Sequence, residues 1–263
     1  VHGDTNSTLA GALVATKRNL PLVHVEAGLR SFDRTMPEEV NRVLTDHVSD
    51  LLCCPSSTAV DNLGAEGIVE GVHLVGDVMY DVLLDDLAVL DSVASPTDSL
   101  AVDSPYVVAT IHRASTTDDP RRFGAVVHAL AEIATNIAPV VWPVHPRTSD
   151  LVAGLVVPDN LHLISPVSYH EMLVLVRGAR TVVTDSGGLQ KEAYWLETPC
   201  VTVRDTTEWT ETIDAGWNSL VGADAASIIA AVTDVPAPDT HPSLYGDGRS
   251  ADRIVDLITS LLA

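Results

Sequence analysis

Short apolar runs alternate along this chain with longer stretches whose apolar residues recur at helical spacing. VH is followed by STLAGALVATKRN, PLVHVE by PEEVNRVLTDHVS, LLCC by STAVDNLGAEG, and VHLVGD by VMYDVLLDDLAVL. A second series runs through YVVATIH, PVVWPVH, LHLI, RTVVTD and PCVTVR, each leading into a helical stretch. Strands and helices in strict alternation predict parallel sheets covered by helices on both faces, a doubly wound α/β architecture. Between the two series, LDSVASPTDSLAVDSP is polar, holds two prolines and keeps no period, which predicts a linker near residues 90 to 105. The expected division is a first Rossmann-like domain over 1–95 and a second over 105–240. After the break DVPAPDTHPSLYGDG, a last helix is expected within 248–263, from about Ser250 to Leu262. The opening VHGD reads as the end of a strand already inside a sheet, so the first domain is expected to be incomplete.

Composition narrows the partners. The 263 residues are 46% hydrophobic, enough for real cores, and no apolar run approaches the length of a membrane span. A soluble cytoplasmic protein is expected. Against 36 acidic residues stand 15 Lys plus Arg, with Lys17 and Lys191 the lysines, for a formal charge of -21. That balance argues against nucleic acid and anionic membrane as partners. It also points to a halophilic source, because such a surface repels itself unless salt screens it. Cys53, Cys54 and Cys200 lie in apolar runs without metal-ligand spacing and read as buried thiols, with neither a disulfide framework nor a metal site.

The candidate chemistry lies where apolar runs end. In open parallel sheets, ligands bind beyond the carboxyl ends of the strands. TDSGGLQKEA, Thr184 to Ala193, places a hydroxyl and two glycines between a strand and a helix, a junction suited to phosphate at a helix N-terminus. Glu192, one turn in, is placed to take the hydroxyls of a ribose. The bland alternative is a capped turn with glycines for tight packing. IHRAST and PVHPR set His112 and His145 at strand ends, with Arg113 and Arg147 close behind, groups that suit a pyrophosphate or else pack and cap. In the first series Asp4 follows VHG, Glu26 follows LVHV, and Glu38 opens a helix behind Met36-Pro37. With the first two strands adjacent, Asp4 and Glu26 converge and supply acid and base functions. Alternatively Asp4 caps its helix, and Glu38 answers the preference of helix N-termini for acids. Trp209, in RDTTEWTE, reads on composition as a packing residue or else as a cover over a ligand, with packing the leading reading.

Taken together, VHGDT, HVEAGLRS, PEEVNR, IHR, PVHPR, TDSGGLQKEA and RDTTEWTE resemble, in order, the motifs of the non-hydrolysing UDP-N-acetylglucosamine 2-epimerases, a GT-B family. The resemblance covers most of the chain. It implies Asp4, Glu26, Glu38 and His112 as catalytic, and Arg30, Arg113, His145, Ser186, Gly187, Gly188, Glu192 and Trp209 as substrate- or UDP-binding, with uracil against the backbone of 166–170. It further implies a homodimer without cofactor or metal, making UDP-N-acetylmannosamine for polysaccharide synthesis. The chain departs from the family pattern in four respects. The first strand–helix units are missing, Ser115 and Thr116 replace a Glu-Asn pair, Trp209 stands where many members have arginine, and Lys191 replaces a usual glutamate on a face turned from the ribose. The tryptophan form resembles UDP-2,3-diacetamido-glucuronate epimerases, which keeps that substrate open. A non-catalytic UDP-sugar binder is the other alternative.

The charge generates a first expectation. Thermal unfolding should shift upward as salt is raised toward about 1 M, where screening acts within ~3 Å; a midpoint that stays flat or falls excludes the halophilic reading.

Overall fold

The computed structural model describes residues 1–100, 102, 105–235 and 238–263. The chain forms two compact units, Val1–Asp85 with Pro242–Ala263, and Asp86–His241. The C-terminal helix, set apart on the sequence, is part of the first unit. The division falls at Asp85/Asp86, ahead of the linker expected at 90–105; that stretch holds a 3-10 turn, Pro96–Ser99, and its residues 101, 103 and 104 lie outside the described residues.

The first unit is built from α1 (Asn6–Lys17), β1 (Val23–Val25), α2 (Pro37–His47), β2 (Leu51–Cys54), α3 (Ser57–Ala65), β3 (Val72–Leu74) and α4 (Val78–Leu90), which runs across the division. Its sheet is parallel in the order β1-β2-β3. The expected opening strand VH is reduced to a single parallel bridge, His2 to Val25. The sheet's buried residues Leu51, Cys53 and Val75 pack against Ile254 of the final helix, with Leu257 and Ile258 flanking it.

The second unit contains β4 (Val107–Thr110), α5 (Ala114–Thr117), α6 (Pro120–Asn136), β5 (Val140–Pro143), α7 (Ser149–Val152), β6 (Leu161–Ile164), α8 (Tyr169–Gly178), β7 (Thr181–Thr184), α9 (Gly187–Trp195), β8 (Cys200–Thr202), α10 (Thr210–Asp214), β9 (Asn218–Leu220) and α11 (Ala225–Thr233). α12 (Ser250–Leu262) then returns to the first unit. The second sheet is parallel throughout, ordered β6-β5-β4-β7-β8-β9, the doubly wound order whose direction reverses between β4 and β7. β9 was not anticipated: NSL is short and half polar, so it carries no apolar run, and it is held as an edge strand by pairing with β8.

Local signals explain the helices. Asp119 caps α6, Pro120 occupies the first turn, and Phe123, Val126, Leu130 and Ile133 bury one stripe against the sheet. Ser168 and Glu171 form a reciprocal capping box at α8. The opposite sheet face is closed by Leu175 and Val176 of α8 and by Leu189 and Ala193 of α9. Both folds are thus the Rossmann-like α/β type expected, and among the described residues no helix is long and apolar enough to cross a membrane.

One glycine fixes a close approach. Gly28 has φ +81°, and a β-carbon there would stand 2.3 Å from the Ala59 carbonyl oxygen. Gly28→Ala should therefore cost about 3 kcal/mol or more through strain and displaced backbone, read as a lower urea midpoint with unchanged slope. An unchanged midpoint would show that α3 yields freely.

Candidate functional site

In the first unit, the bridge at His2 sets the chain beside β1, and Gly3 N donates to Val25 O at 3.1 Å. Asp4 therefore follows one strand end and Glu26 the next. Glu26 Oε2 lies 3.8 Å from His2 Nε2 and 3.4 Å from where a β-carbon on Gly3 would stand. Glu26 itself has φ +71°, a left-handed conformation for a non-glycine, while its amide and that of Ala27 both donate to Cys53 O at 3.1 Å. Such backbone persists where surrounding bonds over-determine it, a recurrent property of functional loops. Asp4 is not a helix cap: Thr5 takes that position and accepts from Thr8 N. Instead Asp4 Oδ2 accepts from Arg42 Nη2 at 2.5 Å and from Nε at 3.2 Å. Glu38 lies half-buried in the first turn of α2, one turn before Arg42 and on the same helix face.

Several residues that organise this half were not singled out on the sequence. Arg42 also donates to Glu39 at 3.1 Å, and buried Glu39 accepts from Ser31 N, Ser31 Oγ and Phe32 N at 2.9–3.0 Å, so one carboxylate shapes the loop before α2. The spacing Glu38-x-x-x-Arg42 within PEEVNR is the signal that points to Arg42. Behind the loops, buried His24 links Gly3 O (2.9 Å) to Asp46 (2.6 Å). Asp46 in turn receives Gly28 N at 3.2 Å and Arg30 Nη1 at 2.7 Å.

Arg30 corrects an expectation. Placed with the substrate on the sequence, it is only 2% exposed, and its remaining donors form a two-pronged pair with Glu66 at 2.7 and 2.8 Å and a bond to Leu29 O. Its guanidinium is engaged by Glu66, Asp46 and Leu29 O in the protein interior. The pair holds the Glu66 carboxyl below the usual carboxylate range.

In the second unit the candidates gather at the reversal of strand order. His112 and Arg113 follow β4, His145 follows β5, and Ser186 follows β7. Asp185, wholly buried, accepts from His112 N through both oxygens at 3.0 Å and from Arg113 N at 2.9 Å, and its Oδ1 lies 3.4 Å from His112 Nδ1. On the sequence this acidic residue of TDSGG had only the bland reading of a helix cap; Ser186 takes the cap, and Asp185 holds the loop after β4. The His112 ring stacks on His145, centroids 4.9 Å apart. Burial pushes the His112 pKa below its ordinary value, with Asp185 opposing and His145, Arg113 and Arg147 adding to the depression. His145 Nδ1 accepts from Arg147 N at 3.1 Å, and Arg147 is anchored on Asp118.

α9 begins where the phosphate-binding signal was read. Ser186 caps it, accepting from Leu189 N at 3.4 Å, and the first-turn amides of Gly187 and Gly188 lack intrahelical acceptors. A β-carbon on Gly187 would stand 3.5 Å from Trp209 Nε1, 3.6 Å from Arg113 Nη2 and 4.0 Å from Arg204 Nη1, so three nitrogen donors flank this turn. Trp209 is buried, and Arg204 is held by Glu208 at 2.9 and 3.0 Å. A cavity of about 240 Å3 opens beside the turn, lined by Thr110, His112, His145, Pro166, Ser186 and Glu192 among others. Pro166 and Val167, expected against a base, lie on its wall. Burial pushes the Glu192 carboxyl up to about 7, with Lys191 opposing. Of the departures, Ser115 is exposed, while the hydroxyl of buried Thr116 has no hydrogen-bond partner among the described residues.

The sequence model of the family described as UDP-N-acetylglucosamine 2-epimerase matches residues 1–259. The chain belongs to this family. It is 46% identical to the UDP-2,3-diacetamido-2,3-dideoxy-D-glucuronate 2-epimerase of Pseudomonas aeruginosa, over 99% of this chain and 74% of that protein. It is 41% identical to the UDP-N-acetylglucosamine 2-epimerase of Methanocaldococcus jannaschii, over 98% of this chain and 74% of that one. A crystal structure of the M. jannaschii enzyme in complex with UDP-GlcNAc and UDP superposes with a TM-score of 0.91 at 40% identity, covering 99% of this chain and 75% of that one. The family and its solved members support an epimerase of GT-B fold.

The Glu192 environment has a sign that can be measured. Its folded value of about 7 lies above the ordinary 4.5, so across that window the folded chain holds a proton the unfolded chain has lost, and stability falls as pH rises. Glu192→Gln should remove this slope and stabilise the protein near pH 8, by at most about 3 kcal/mol, with a smaller gain near pH 5. Thermal melts across pH check it; equal effects at both ends would exclude a raised Glu192.

Proposed function

We propose that the protein interconverts UDP-N-acetylglucosamine and UDP-N-acetylmannosamine by elimination and re-addition of UDP. The observation that carries the reading is the cavity beside α9, where histidines, the capped glycine turn and Glu192 meet on one wall system in a member of this family. Ser186, Gly187 and Gly188 take the diphosphate, Glu192 the ribose hydroxyls, and the backbone near Pro166 the uracil. A carboxylate among Asp4, Glu26 and Glu38 removes the C2 proton as the C1–O bond to UDP breaks, giving free UDP and a glycal. Protonation of C2 on the opposite face, with return of the UDP oxygen to C1, completes the inversion. Two proton-transfer groups are required because the two faces of C2 are addressed in turn. His112, His145, Arg113 and the N-terminus of α9 stabilise the departing diphosphate. The reaction is redox-neutral and balances without a cofactor.

A second substrate is supported by one observation, the 46% identity to the diacetamido-glucuronate epimerase of P. aeruginosa, against 41% to the M. jannaschii enzyme. The reading also takes in a cytoplasmic homodimer of halophilic origin that feeds polysaccharide synthesis.

Incubation with UDP-N-acetylglucosamine in D2O, followed by NMR, should show deuterium at C2 and the manno product. Glu26→Gln should lower exchange by about 100-fold or more, the range of a lost general base. Exchange only with the diacetamido-glucuronate assigns the second substrate; retained exchange in Glu26→Gln removes that carboxylate from the mechanism.

A further inference from the structure

Lys191 was expected as a harmless replacement on a face turned from the ribose; that face is buried. Lys191 is 1% exposed, and its Nζ lies 4.1 Å from the centroid of the Trp209 ring and 5.6 Å from that of Trp195. Taking an ammonium out of water is costly, and an indole face is the best aromatic acceptor for it. Trp209 is equally buried, at 4% exposure, and its Nε1 is the nearest atom to the position a Gly187 β-carbon would take. The same ring thus offers its face to a cation and its N–H edge to the first turn of α9. The polar frame around it is rigid: Trp209 N donates to Thr207 Oγ1, which donates to Gln190 Oε1, and Gln190 Nε2 donates to Ser186 O at the start of the same helix.

We propose that Lys191 is a positioning residue of the anion site: its buried ammonium holds the Trp209 indole so that Nε1–H stands beside Gly187 as a further donor to the diphosphate. This rests on the reading of the α9 cavity as a UDP site. Trp209 makes the contact, and Lys191 acts through it. A cation over the ring also withdraws electron density from the indole, which strengthens Nε1–H as a donor toward a phosphate oxygen.

A double-mutant cycle on UDP affinity, measured by calorimetry on the 263-residue chain, tests it. Trp209→Phe keeps an aromatic face and removes the N–H; it should weaken UDP about tenfold, the loss of one hydrogen bond to a charged group. Lys191→Met should weaken UDP about 3- to 10-fold, Lys191→Arg should restore most of the affinity by keeping the cation, and Lys191→Met in the Trp209→Phe background should add little. The indole Nε1–H resonance of Trp209, assigned by its loss in Trp209→Phe, should shift in unliganded Lys191→Met. Equal effects of Lys191→Met in both backgrounds would overturn the positioning role, and unchanged affinity in Trp209→Phe would overturn the donor role. Failure of the parent protein to bind UDP overturns the underlying nucleotide reading and the donor role with it; an unmoved indole signal in Lys191→Met overturns the positioning role alone.

Discussion

The second unit turns on the direction in which Asp185 points. A carboxylate one residue before a phosphate-binding turn is unwelcome if its charge faces the ligand. Here both oxygens are turned back across the gap between β7 and β4, where they accept the amides of His112 and Arg113. Charge-assisted bonds of this kind contribute about 1.5–3 kcal/mol each. They fix the loop after β4 to the loop after β7 at the place where strand order reverses and the helices leave in opposite directions. The His112 ring, the Arg113 guanidinium and the open turn of α9 are therefore set by one buried side chain. Its negative charge is spent on protein donors.

The first unit solves the corresponding problem with Asp46. That side chain gathers His24, Gly28 N and Arg30, and through His24 reaches Gly3 O, so both loops bearing Asp4 and Glu26 hang on it. Burying ions costs several kcal/mol each, and an apolar cluster of equal volume would serve stability as well or better. An apolar cluster has no means of fixing the direction of a particular carbonyl and a particular amide. The left-handed backbone at Glu26 and Gly28 needs that directional hold.

Much of this was legible in the sequence because it depends on local pattern. Parallel strands appeared as continuous apolar runs, helices as amphipathic stripes with Ser, Asp and Pro at their starts, and the capped start of α9 as SGG between the two. β9 was illegible because an edge strand of three residues, half polar, takes its identity from pairing with β8. The separate C-terminal helix was misplaced for a related reason: Ile254 finds its partners Leu51, Cys53 and Val75 roughly two hundred residues earlier, and no local signal records that. Arg30 shows the limit for site residues. Its motif marks it as important, but only the positions of Glu66 and Asp46 reveal that its donors are consumed internally. Asp185 and Arg42 were hidden in the opposite sense, charged residues inside the motifs whose partners His112, Arg113 and Asp4 lie far along the chain.

A chain with formal charge -21 whose α9 turn is flanked by nitrogen donors sets the bulk field against the local one. Screening resolves most of the conflict, since at physiological ionic strength charges beyond about 8 Å are largely hidden. What remains is decided by the groups around Gly187: the helix N-terminus, Arg113 Nη2 and Trp209 Nε1 present positive ends, while Arg204 Nη1 is taken up by Glu208. Glu192 is the one acid on the cavity wall, and its burial keeps it largely protonated below about pH 7. A neutral carboxyl adds no repulsion toward an anion at this turn. Burial, which makes Glu192 a poor anion, thus keeps the cavity wall from adding to the acidity of the rest of the surface.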